Sequence, residues 1–401
     1  MDAAGSKANT ARRMAVAVIG YCAFINLYSP QALLPLLQQE FNATAADISY
    51  LITLSVLAVA LTAPFTGTVA DVLGRRRVIL TAMAVVGLPA IAGALSGSLT
   101  ELMIWRFVQG LILPPIFAVT IAYIGEEFTP REATAAIGIY TAGASLGGFS
   151  GRFFSGLIAD AADWRTAFIC LAVINLVGAG VTFLLLPREQ NFVRSPGLLT
   201  SARQMLAHLR NPKLVATYAV GFGVLFNFIG IFTFINFHLA APPYLLTPSL
   251  LGTIFFTYLL GSVTAPSVGR LVARFGRRHL MIGLIAIWIA GSALTLATPL
   301  PVILVGLMLC AACGLMCQAV STGYVTLTAQ AGRSSAVGLY AMSFYIGGAF
   351  GGALCSVAFR YGDYPACVAL IIAVLAVMAA IVALFWSADI PPSAALPVKH
   401  L

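Results

Sequence analysis

Three ionisable side chains lie inside otherwise apolar stretches of this chain, and their chemistry sets the first expectations: Arg106, Arg152 and His238. A guanidinium binds carboxylate or phosphate groups through paired hydrogen bonds. An imidazole titrates near neutral pH and suits a proton relay. On translocon scales an arginine at the centre of a membrane helix costs about 2.5–3.5 kcal/mol, so a residue kept there is a functional candidate.

The two arginines lie at similar depths. Each is about five residues from the outer end of its stretch, which places both roughly 8–10 Å below the outer surface at about 1.5 Å per residue. The guanidiniums are therefore expected to share a cavity. A purely structural role stays open for two of these residues. In that interpretation Arg152 extends outward toward Asp160 or Asp163, and His238 is an interface residue near the end of its stretch.

No carboxylate accompanies these cations within the apolar stretches. The 13 acidic residues all lie at the ends of the stretches or between them: Asp2, Glu40, Asp47, Asp71, Glu101, Glu126, Glu127, Glu132, Asp160, Asp163, Glu189, Asp363 and Asp389. The sequence therefore lacks a buried acid of the kind whose pKa is raised by desolvation.

The composition defines the elements that must hold these residues. The chain is 60% hydrophobic and 9% charged, whereas charged residues make up about 25% of a soluble domain. Continuous apolar runs exclude a transmembrane barrel, whose strands alternate with period two. Runs long enough to cross a hydrocarbon core of about 30 Å predict an all-α membrane protein with twelve helices: 14–36, 48–70, 78–98, 102–125, 133–158, 167–186, 214–239, 249–272, 280–298, 301–329, 334–358 and 366–386.

The basic residues predict the orientation of the spans. With both ends of the chain in the cytoplasm, 18 of the 22 Lys and Arg residues fall on cytoplasmic segments, where basic loops are retained. This bias accounts for the net charge of +9, so nucleic-acid binding is not expected. The N-terminal MDAAGSKANTARR is a short basic flank without a cleavage pattern, so the first span is expected to be retained.

The second half of the sequence is a diverged copy of the first. TAPFTGTVADVLGRRR, beginning at Thr62, returns as TAPSVGRLVARFGRRH at Thr264, an offset of 202. AAIGIYTAGASLGG from Ala135 matches SAVGLYAMSFYIGG 200 residues later, and GYCAFINLY from Gly20 is matched with GIFTFINFH 210 residues later. Such repeats predict two pseudo-symmetric six-helix bundles with a substrate site between them near the bilayer midplane.

The expected domain organisation follows the repeat and the one long polar connector. The predicted parts are a cytoplasmic N-terminus at 1–13, an N-terminal bundle at 14–186, a cytoplasmic linker at 187–213, a C-terminal bundle at 214–386 and a cytoplasmic tail at 387–401. Within the linker, LLTSARQMLAHLR favours either a surface amphipathic helix or a solvated basic segment. Small-residue seams between helices are expected at Gly143, Gly147, Gly148 and Gly151, and at Gly347, Gly348, Gly351 and Gly352.

Two segments resemble signatures of the major facilitator superfamily. GTVADVLGRRR, beginning at Gly67, is similar to the family's cytoplasmic signature between spans 2 and 3. LMIWRFVQG, beginning at Leu102, is similar to the span 4 signature of its 12-span drug:proton antiporters, with Arg106 and Gln109 at matching positions. The antiporters' span 5 signature has a Gly-Pro step, where this chain has Gly143-Ala144. The resemblance covers essentially the whole chain and implies the major facilitator fold.

The resemblance also implies a conformational latch on the cytoplasmic face, formed by Gly67, Asp71, Gly74, Arg75 and Arg76. Asp71 would hold the halves together in one state and release them in the other. Ser334-Ser335 is expected to cap span 11, where free N–H groups and the helix dipole favour a negative charge. The second copy has Ala273 at the Asp71 position, so the latch is one-sided; the alternative is a solvated Asp with an Arg neighbour.

In the family that the chain resembles, spans 1 and 7 line a central cavity. The match of Gly20 with Gly230 pairs Asn26 with Asn236 and Tyr28 with His238, which makes these four candidates for substrate or proton binding. Other aromatic and amide groups complete the expected pocket: Tyr21, Gln31, Gln109, Tyr123, Tyr140, Asn227, Phe234, Gln318, Tyr324 and Tyr345. Three cysteines, Cys310, Cys313 and Cys317, share a face of span 10, but thiols buried in lipid resist ionisation, so neither a metal nor a cofactor is expected.

Together these features predict a secondary transporter that works by alternating access. Its expected activity is export of a small amphiphilic or drug-like molecule against inward proton flow, in which Arg106 helps to control proton binding. The alternative is an organic-anion carrier that uses Arg106 and Arg152. The chain lacks the clustered groups of an integral-membrane enzyme and a P-loop for ATP. The expected partners are a small-molecule substrate, the proton and the lipid bilayer, and the expected state is a monomer in a bacterial inner membrane.

Overall fold

Long helices account for the described part of the chain, which in this computed structural model comprises residues 3–190, 198–329 and 332–387. Ten helices there are long and apolar enough to cross a membrane. One of these, Ser335–Phe385, contains two spans. The helix Pro130–Ala161 is also long enough at 32 residues, although its glycines and Arg152 lower its hydropathy. The predicted twelve-helix fold is confirmed.

The spans follow the order of the chain. The first bundle contains span 1 (Ala3–Leu27, Ser29–Leu33 and Leu34–Glu40), span 2 (Ala45–Thr62, Ala63–Phe65 and Thr66–Leu73), span 3 (Arg75–Val85 and Gly87–Ala94), span 4 (Leu99–Glu127), span 5 (Pro130–Ala161) and span 6 (Trp164–Leu185). A linker helix, Leu198–His208, follows. The second bundle contains span 7 (Pro212–Ala240), span 8 (Pro248–Ile254, Thr257–Thr264, Ala265–Ser267 and Val268–Phe275), span 9 (Arg277–Leu294), span 10 (Leu300–Thr328) and spans 11 and 12 (Arg333–Phe385).

The last two spans form one helical run with a break in its middle. The break lies at Gly362 and Asp363, and Asp363 has a φ of 52°, in the left-handed region. Pro365 follows the break and has no N–H to continue the helical hydrogen bonds. The sequence predicted these spans at 334–358 and 366–386, so the structure joins them more closely than the apolar pattern indicated.

Several acids at the ends of the spans have a structural role in starting helices. Asp47 and Glu101 lie in the first turns of spans 2 and 4, where a carboxylate interacts favourably with the helix dipole. Asp163 caps span 6 by accepting a hydrogen bond from the backbone N of Thr166 at 2.6 Å. That bond lowers the pKa of the Asp163 carboxyl.

The two copies of the Gly-Arg-Arg motif make the same turn. Gly74 has a φ of 90° and Gly276 a φ of 72°, a conformation that favours glycine. The second arginine of each motif then reaches the end of the last span in its bundle. Arg76 donates to the carbonyl of Phe183 at 2.9 Å, and Arg278 donates to that of Ala383. The repeat found in the sequence is thus a repeat of structure.

Glycine seams join span 5 to span 1 and span 11 to span 7. A Cβ on Gly147 would collide with the backbone of Tyr21, and one on Gly347 would collide with that of Phe222. The predicted seams are therefore confirmed at these positions. Since equivalent contacts identify equivalent residues, Tyr21 corresponds to Phe222, an offset of 201.

This correspondence overturns the match of Gly20 with Gly230. At an offset of 201, Asn26 corresponds to Asn227 rather than to Asn236. His238, which the sequence match had paired with Tyr28, therefore lies nine residues beyond the residue that corresponds to Tyr28. The physical reason is that helix packing, and not the short shared phrase Phe-Ile-Asn, fixes the register of span 7 against span 11.

The two faces of the molecule differ in how the bundles meet. We call the face that carries Arg12, Gln190, Lys213 and Ser387 the linker side, because Gln190 N donates to Glu127 beside Arg12, and Lys213 Nζ donates to Ser387 Oγ. On the opposite face, the far side, the bundles are in contact.

Two contacts illustrate this closure of the far side. Asp160 at the end of span 5 accepts a hydrogen bond from the backbone N of Ser249 in span 8 at 3.0 Å. Gly352 in span 11 leaves so little room that a Cβ there would collide with Thr53 of span 2.

Candidate functional site

A central cavity of about 290 Å³ lies between the two bundles. Its wall is formed by spans 1, 5, 7, 8, 10 and 11, and most of the wall is apolar or aromatic. The main polar groups of the lining are Tyr28, Tyr140, Arg152, Tyr258, Gln318 and Tyr345. Of the described residues, those that line the cavity include no carboxylate. The cavity therefore presents apolar surface together with one cation.

Span 5 shows which way the cavity opens. Along its cavity face, Thr141 is exposed, Ser145 and Gly148 are half-buried, and Arg152 is buried. Exposure thus falls from the linker side toward the far side. Arg152 marks the closed end of the cavity.

The Arg152 guanidinium is held in a cage of aromatic rings. Its Cζ lies 4.7 Å from the ring centre of Tyr28, 4.7 Å from that of Phe255 and 4.8 Å from that of Tyr258. Cation–π attraction contributes roughly 2 kcal/mol where the cation is removed from water. Within the described ranges, no carboxylate is close enough to Arg152 to form an ion pair.

Hydrogen bonds fix the guanidinium in this cage. Its Nε donates to Gln31 Oε1 at 2.6 Å, and its Nη1 donates to the carbonyl of Gly148. Gln31 in turn donates to Thr233 Oγ1 in the other bundle at 3.1 Å. The interpretation in which Arg152 extends to Asp160 is wrong, because its side chain turns toward span 1 instead.

Arg106 occupies a different environment within the first bundle. Span 1 is interrupted after Leu27 because Pro30 has no N–H to donate to the carbonyl of Asn26 and Gln31 N bonds the carbonyl of Tyr28. Arg106 donates to both released carbonyls, to Asn26 O at 3.1 Å and to Leu27 O at 2.6 Å. The guanidinium thereby caps a helix end, where a positive charge is favoured.

Gln109 completes this cluster. It accepts a hydrogen bond from Arg106 Nη1 and donates to Asn26 Oδ1 at 3.2 Å. The cluster borders a separate cavity of only about 10 Å³. The expectation that Arg106 and Arg152 share a cavity is therefore wrong: equal depth does not place two residues on the same side of span 1.

The span 7 candidates also lie away from the central cavity. Asn236 is fully buried and donates to the carbonyl of Phe232 in its own helix at 2.7 Å. His238 is stacked on the ring of Tyr364, with 4.8 Å between ring centres. Both positions follow from the corrected register, which moves them toward the far side.

The remaining predicted cavity residues divide into two groups. Tyr28, Tyr140, Gln318 and Tyr345 line the cavity. The others do not line it: Tyr21 bonds Ser150, Gln31 bonds Arg152, Asn26 belongs to the Arg106 cluster, Asn227 bonds the carbonyl of Gly223 in its own helix, Phe234 packs against Phe359, and Tyr123 and Tyr324 lie on the linker side.

Tyr123 and Tyr324 are equivalent anchors. The hydroxyl of Tyr123 donates to the carbonyl of Pro187 after span 6, and that of Tyr324 accepts from Ser387 N after span 12.

A charged network lies around the predicted latch on the linker side. Arg75 Nη1 is 2.7 Å from Asp71 Oδ1, and Arg75 also binds Glu126 through Nε at 3.2 Å and Nη2 at 2.9 Å. Arg75 Nη1 additionally donates to the carbonyl of Gly67 at 3.3 Å. Asp71 is thus held by its arginine neighbour in this state.

Span 11 does not begin at the predicted serine cap. Its N-cap is Gly332, with a φ of 58°. Ser335 Oγ donates to Gln204 of the linker helix at 2.8 Å, and His208 of that helix contacts the Gly332 carbonyl at 3.1 Å. The side chain of Ser334 lies outside the described residues.

Comparison with known proteins decides the family. The family model described as Major Facilitator Superfamily matches residues 16–241 and 227–400. The chain belongs to the major facilitator superfamily. The MFS-type transporter YybF of Bacillus subtilis, itself called uncharacterized, is 30% identical over 82% of this chain and 81% of its own length.

Two further comparisons bear on the fold and on one segment. The putative multidrug resistance protein MdtD of Escherichia coli is 31% identical over 38% of this chain and 33% of its own length. A crystal structure of a mutant nucleoside transporter NupG superimposes with a TM-score of 0.77 at 14% identity, covering 94% of this chain and 100% of that one. As a member of this family, the chain is a multi-pass membrane transporter of small molecules, and its family and structural neighbours are transporters rather than enzymes.

Sequence reasoning missed several residues of this transporter's site. Phe255 and Tyr258 were not singled out, although their spacing of three puts two aromatic rings on one face of span 8. Glu126 was considered only as an acid at a span end. Thr233 carries no sequence signal beyond being polar in an apolar run.

Proposed function

We propose that this protein is an alternating-access transporter whose substrate is a small amphiphilic organic anion bearing a carboxylate or phosphate group. The observation that carries the proposal is Arg152, a buried cation at the closed end of a cavity whose described lining contains no acid. Burying an uncompensated charge is costly, and an anionic substrate would supply the missing charge. The apolar wall suits the rest of an amphiphile.

The proposal includes an orientation. The linker side, with its basic loops, faces the cytoplasm of a bacterial inner membrane, so the structure is an inward-facing state. Substrate then enters from the cytoplasm. Export of an anion is driven by a membrane potential that is negative inside, worth about 2.3 kcal/mol per charge at 100 mV, and this needs no proton carrier in the cavity.

Proton-coupled export of a drug-like molecule is the second candidate. Its support is the similarity of part of the chain to the putative multidrug resistance protein MdtD. The cluster of Arg106 with Gln109 and Asn26 is where proton coupling would act. In this case substrate charge would be positive or neutral, and transport would follow the pH gradient.

Uptake assays in proteoliposomes distinguish the two candidates. The compounds tested are three matched aryl compounds, benzoate, phenyl phosphate and benzamide, together with a cationic dye. Each is tested under an imposed membrane potential and, separately, under an imposed pH gradient. We expect transport of the anions driven by the potential. Transport of the cationic dye alone, driven by the pH gradient, would refute the anion proposal.

The variant Gln31→Glu sharpens the test. It gives Arg152 a built-in carboxylate at the position of the present 2.6 Å hydrogen bond. We expect anion transport to fall at least about tenfold, since a charged acceptor binds a guanidinium roughly twice as strongly as a neutral one. Gln39→Glu, at an exposed position of the same span, is the matched control and should leave transport unchanged.

A further inference from the structure

Arg152 lines the cavity, and its contacts also join the two bundles. Through Gln31, the guanidinium is connected to Thr233 of span 7, and its face lies against Phe255 and Tyr258 of span 8. Arg152 itself belongs to the first bundle, and these three residues belong to the second. The closed far side of the cavity is therefore held in part by the same group that would bind substrate.

We propose that Arg152 is a substrate-operated gate: an anion that binds its guanidinium displaces Gln31 and the span 8 rings, and so releases the contacts that close the far side. This inference rests on the proposed function, and it adds the step by which substrate binding drives the change of state. No covalent step is involved.

Side-on binding of an anion to the guanidinium requires this displacement. Arginine has five N–H donors, and in the described structure its Nε and Nη1 are used by Gln31 and Gly148. Because Nε has a single N–H, an anion that binds side-on through Nε and Nη2 must take the place of Gln31. The Gly148 carbonyl belongs to the backbone of the same span, whereas the Gln31 amide is a side chain that can turn away.

The two states of the transporter therefore bind the anion unequally. In the far-side-closed state the anion must replace the Gln31 bond and part of the contact with Phe255 and Tyr258. In the opposite state the bond from Gln31 to Thr233 and the contacts with the span 8 rings are already absent, so Gln31 is free to turn away and the anion binds with a smaller loss. A ligand shifts a conformational equilibrium only through such a difference in affinity, and here the shift favours opening of the far side.

The experiment measures far-side opening directly. Spin labels are placed at Ala161, the last residue of span 5, and Leu250 in span 8, both exposed, and half-buried Cys170 is replaced by Ser so that the six remaining, buried cysteines stay unlabelled. Distances between the labels are recorded for the full chain in liposomes, with and without benzoate or phenyl phosphate.

Thr233→Val removes the acceptor of the Gln31 bond while keeping the size of the side chain. We expect the ratio of long to short label distances to rise about fivefold without ligand, as the loss of one buried hydrogen bond implies. Thr217→Val is the matched control, because the Thr217 hydroxyl donates only within span 7, to the carbonyl of Lys213 at 2.7 Å. Its distance distribution should match that of the wild type.

The anion probes should raise the same ratio in the wild type and leave it unchanged in Arg152→Gln. Overlapping distributions for Thr233→Val and Thr217→Val would overturn the gate. So would anion transport at the wild-type rate with no effect of either anion on the label distances. If no organic anion is transported at all, the proposed function fails instead, and the two failures are thus distinct.

Discussion

At the scale of single residues, Pro30 and Arg106 compensate for one another. Proline leaves the carbonyl of Asn26 without its helical partner, and Arg106 supplies donors to that carbonyl and to the carbonyl of Leu27. This break carries Tyr28 to the cavity and Gln31 to Arg152. Arg106 lies outside the central cavity, but it therefore helps to position Tyr28 and Gln31, which belong to the site.

Arg106→Gln should destabilise the protein by about 1–3 kcal/mol, because the buried carbonyl of Leu27 loses its donor and that of Asn26 keeps only the bond from Ser29 Oγ at 3.0 Å. Adding Pro30→Ala restores an N–H for the Asn26 carbonyl and should recover part of that loss. Thermal unfolding in detergent measures both effects. Arg165→Gln, which breaks an ion pair with Glu40 whose side chains are 41% and 40% exposed, is the comparison and should cost less than about 1 kcal/mol.

Recovery of stability by the double variant without recovery of transport would show that Arg106 acts in transport as well. An Arg106→Gln protein as stable as the wild type would instead contradict the capping role.

At the scale of elements, the glycine seams allow spans to lie unusually close. Gly147 and Gly151 face the backbone of span 1, and Gly347 and Gly351 face that of span 7. In a membrane, where lipid is as apolar as the side chains, such close packing is a principal source of helix association. The paired seams also keep spans 1 and 7 in equivalent positions beside the cavity.

Gly147→Ala should lower the stability by about 1–3 kcal/mol, the usual effect of overpacking, because its methyl group would meet the backbone of Tyr21. Gly347→Ala should have an equal effect in the other bundle. Gly180→Ala is the control: nothing lies within 4 Å of a Cβ there, so stability should change by less than about 1 kcal/mol. Equal melting temperatures for all three variants would contradict the seam.

The element scale also shows what the sequence could predict. Apolar length and basic loops predicted the twelve helices, and long repeated phrases at offsets of 202 and 200 agreed with the structure. The short match in spans 1 and 7 was wrong by nine residues, because helix packing, and not a match of four identical residues, determines the register of the two spans. His238 and Asn236 were misplaced for that reason alone.

The Arg152 cage could not be predicted for a different reason. The type and depth of Arg152 were evident, but its partners come from spans 1, 7 and 8. Only the packing of the two bundles brings Gln31, Thr233 and Tyr258 to one place. Local sequence carries no trace of that arrangement.

At the scale of the whole molecule, the transporter is closed on the far side and open on the linker side. Its opposite state must bring the linker-side ends of the bundles together. The end of span 2 then approaches the start of span 11, which here is contacted by the linker helix through Gln204 and His208. We propose that Asp71 supplies the charge that binds there, at a helix start that favours an anion.

Asp71→Asn should therefore insert and fold normally but transport at least about tenfold more slowly, which corresponds to roughly 1.4 kcal/mol of lost stabilisation. Arg75 keeps Glu126 as a partner in this variant, at 2.9 Å, so the melting temperature should stay close to that of the wild type. Ala273→Asn, at the equivalent exposed position of the second copy, is the control and should transport normally. Uptake by reconstituted Asp71→Asn at the wild-type rate would refute the latch. If both variants lose activity, the effect comes from the amide side chain rather than from the missing charge.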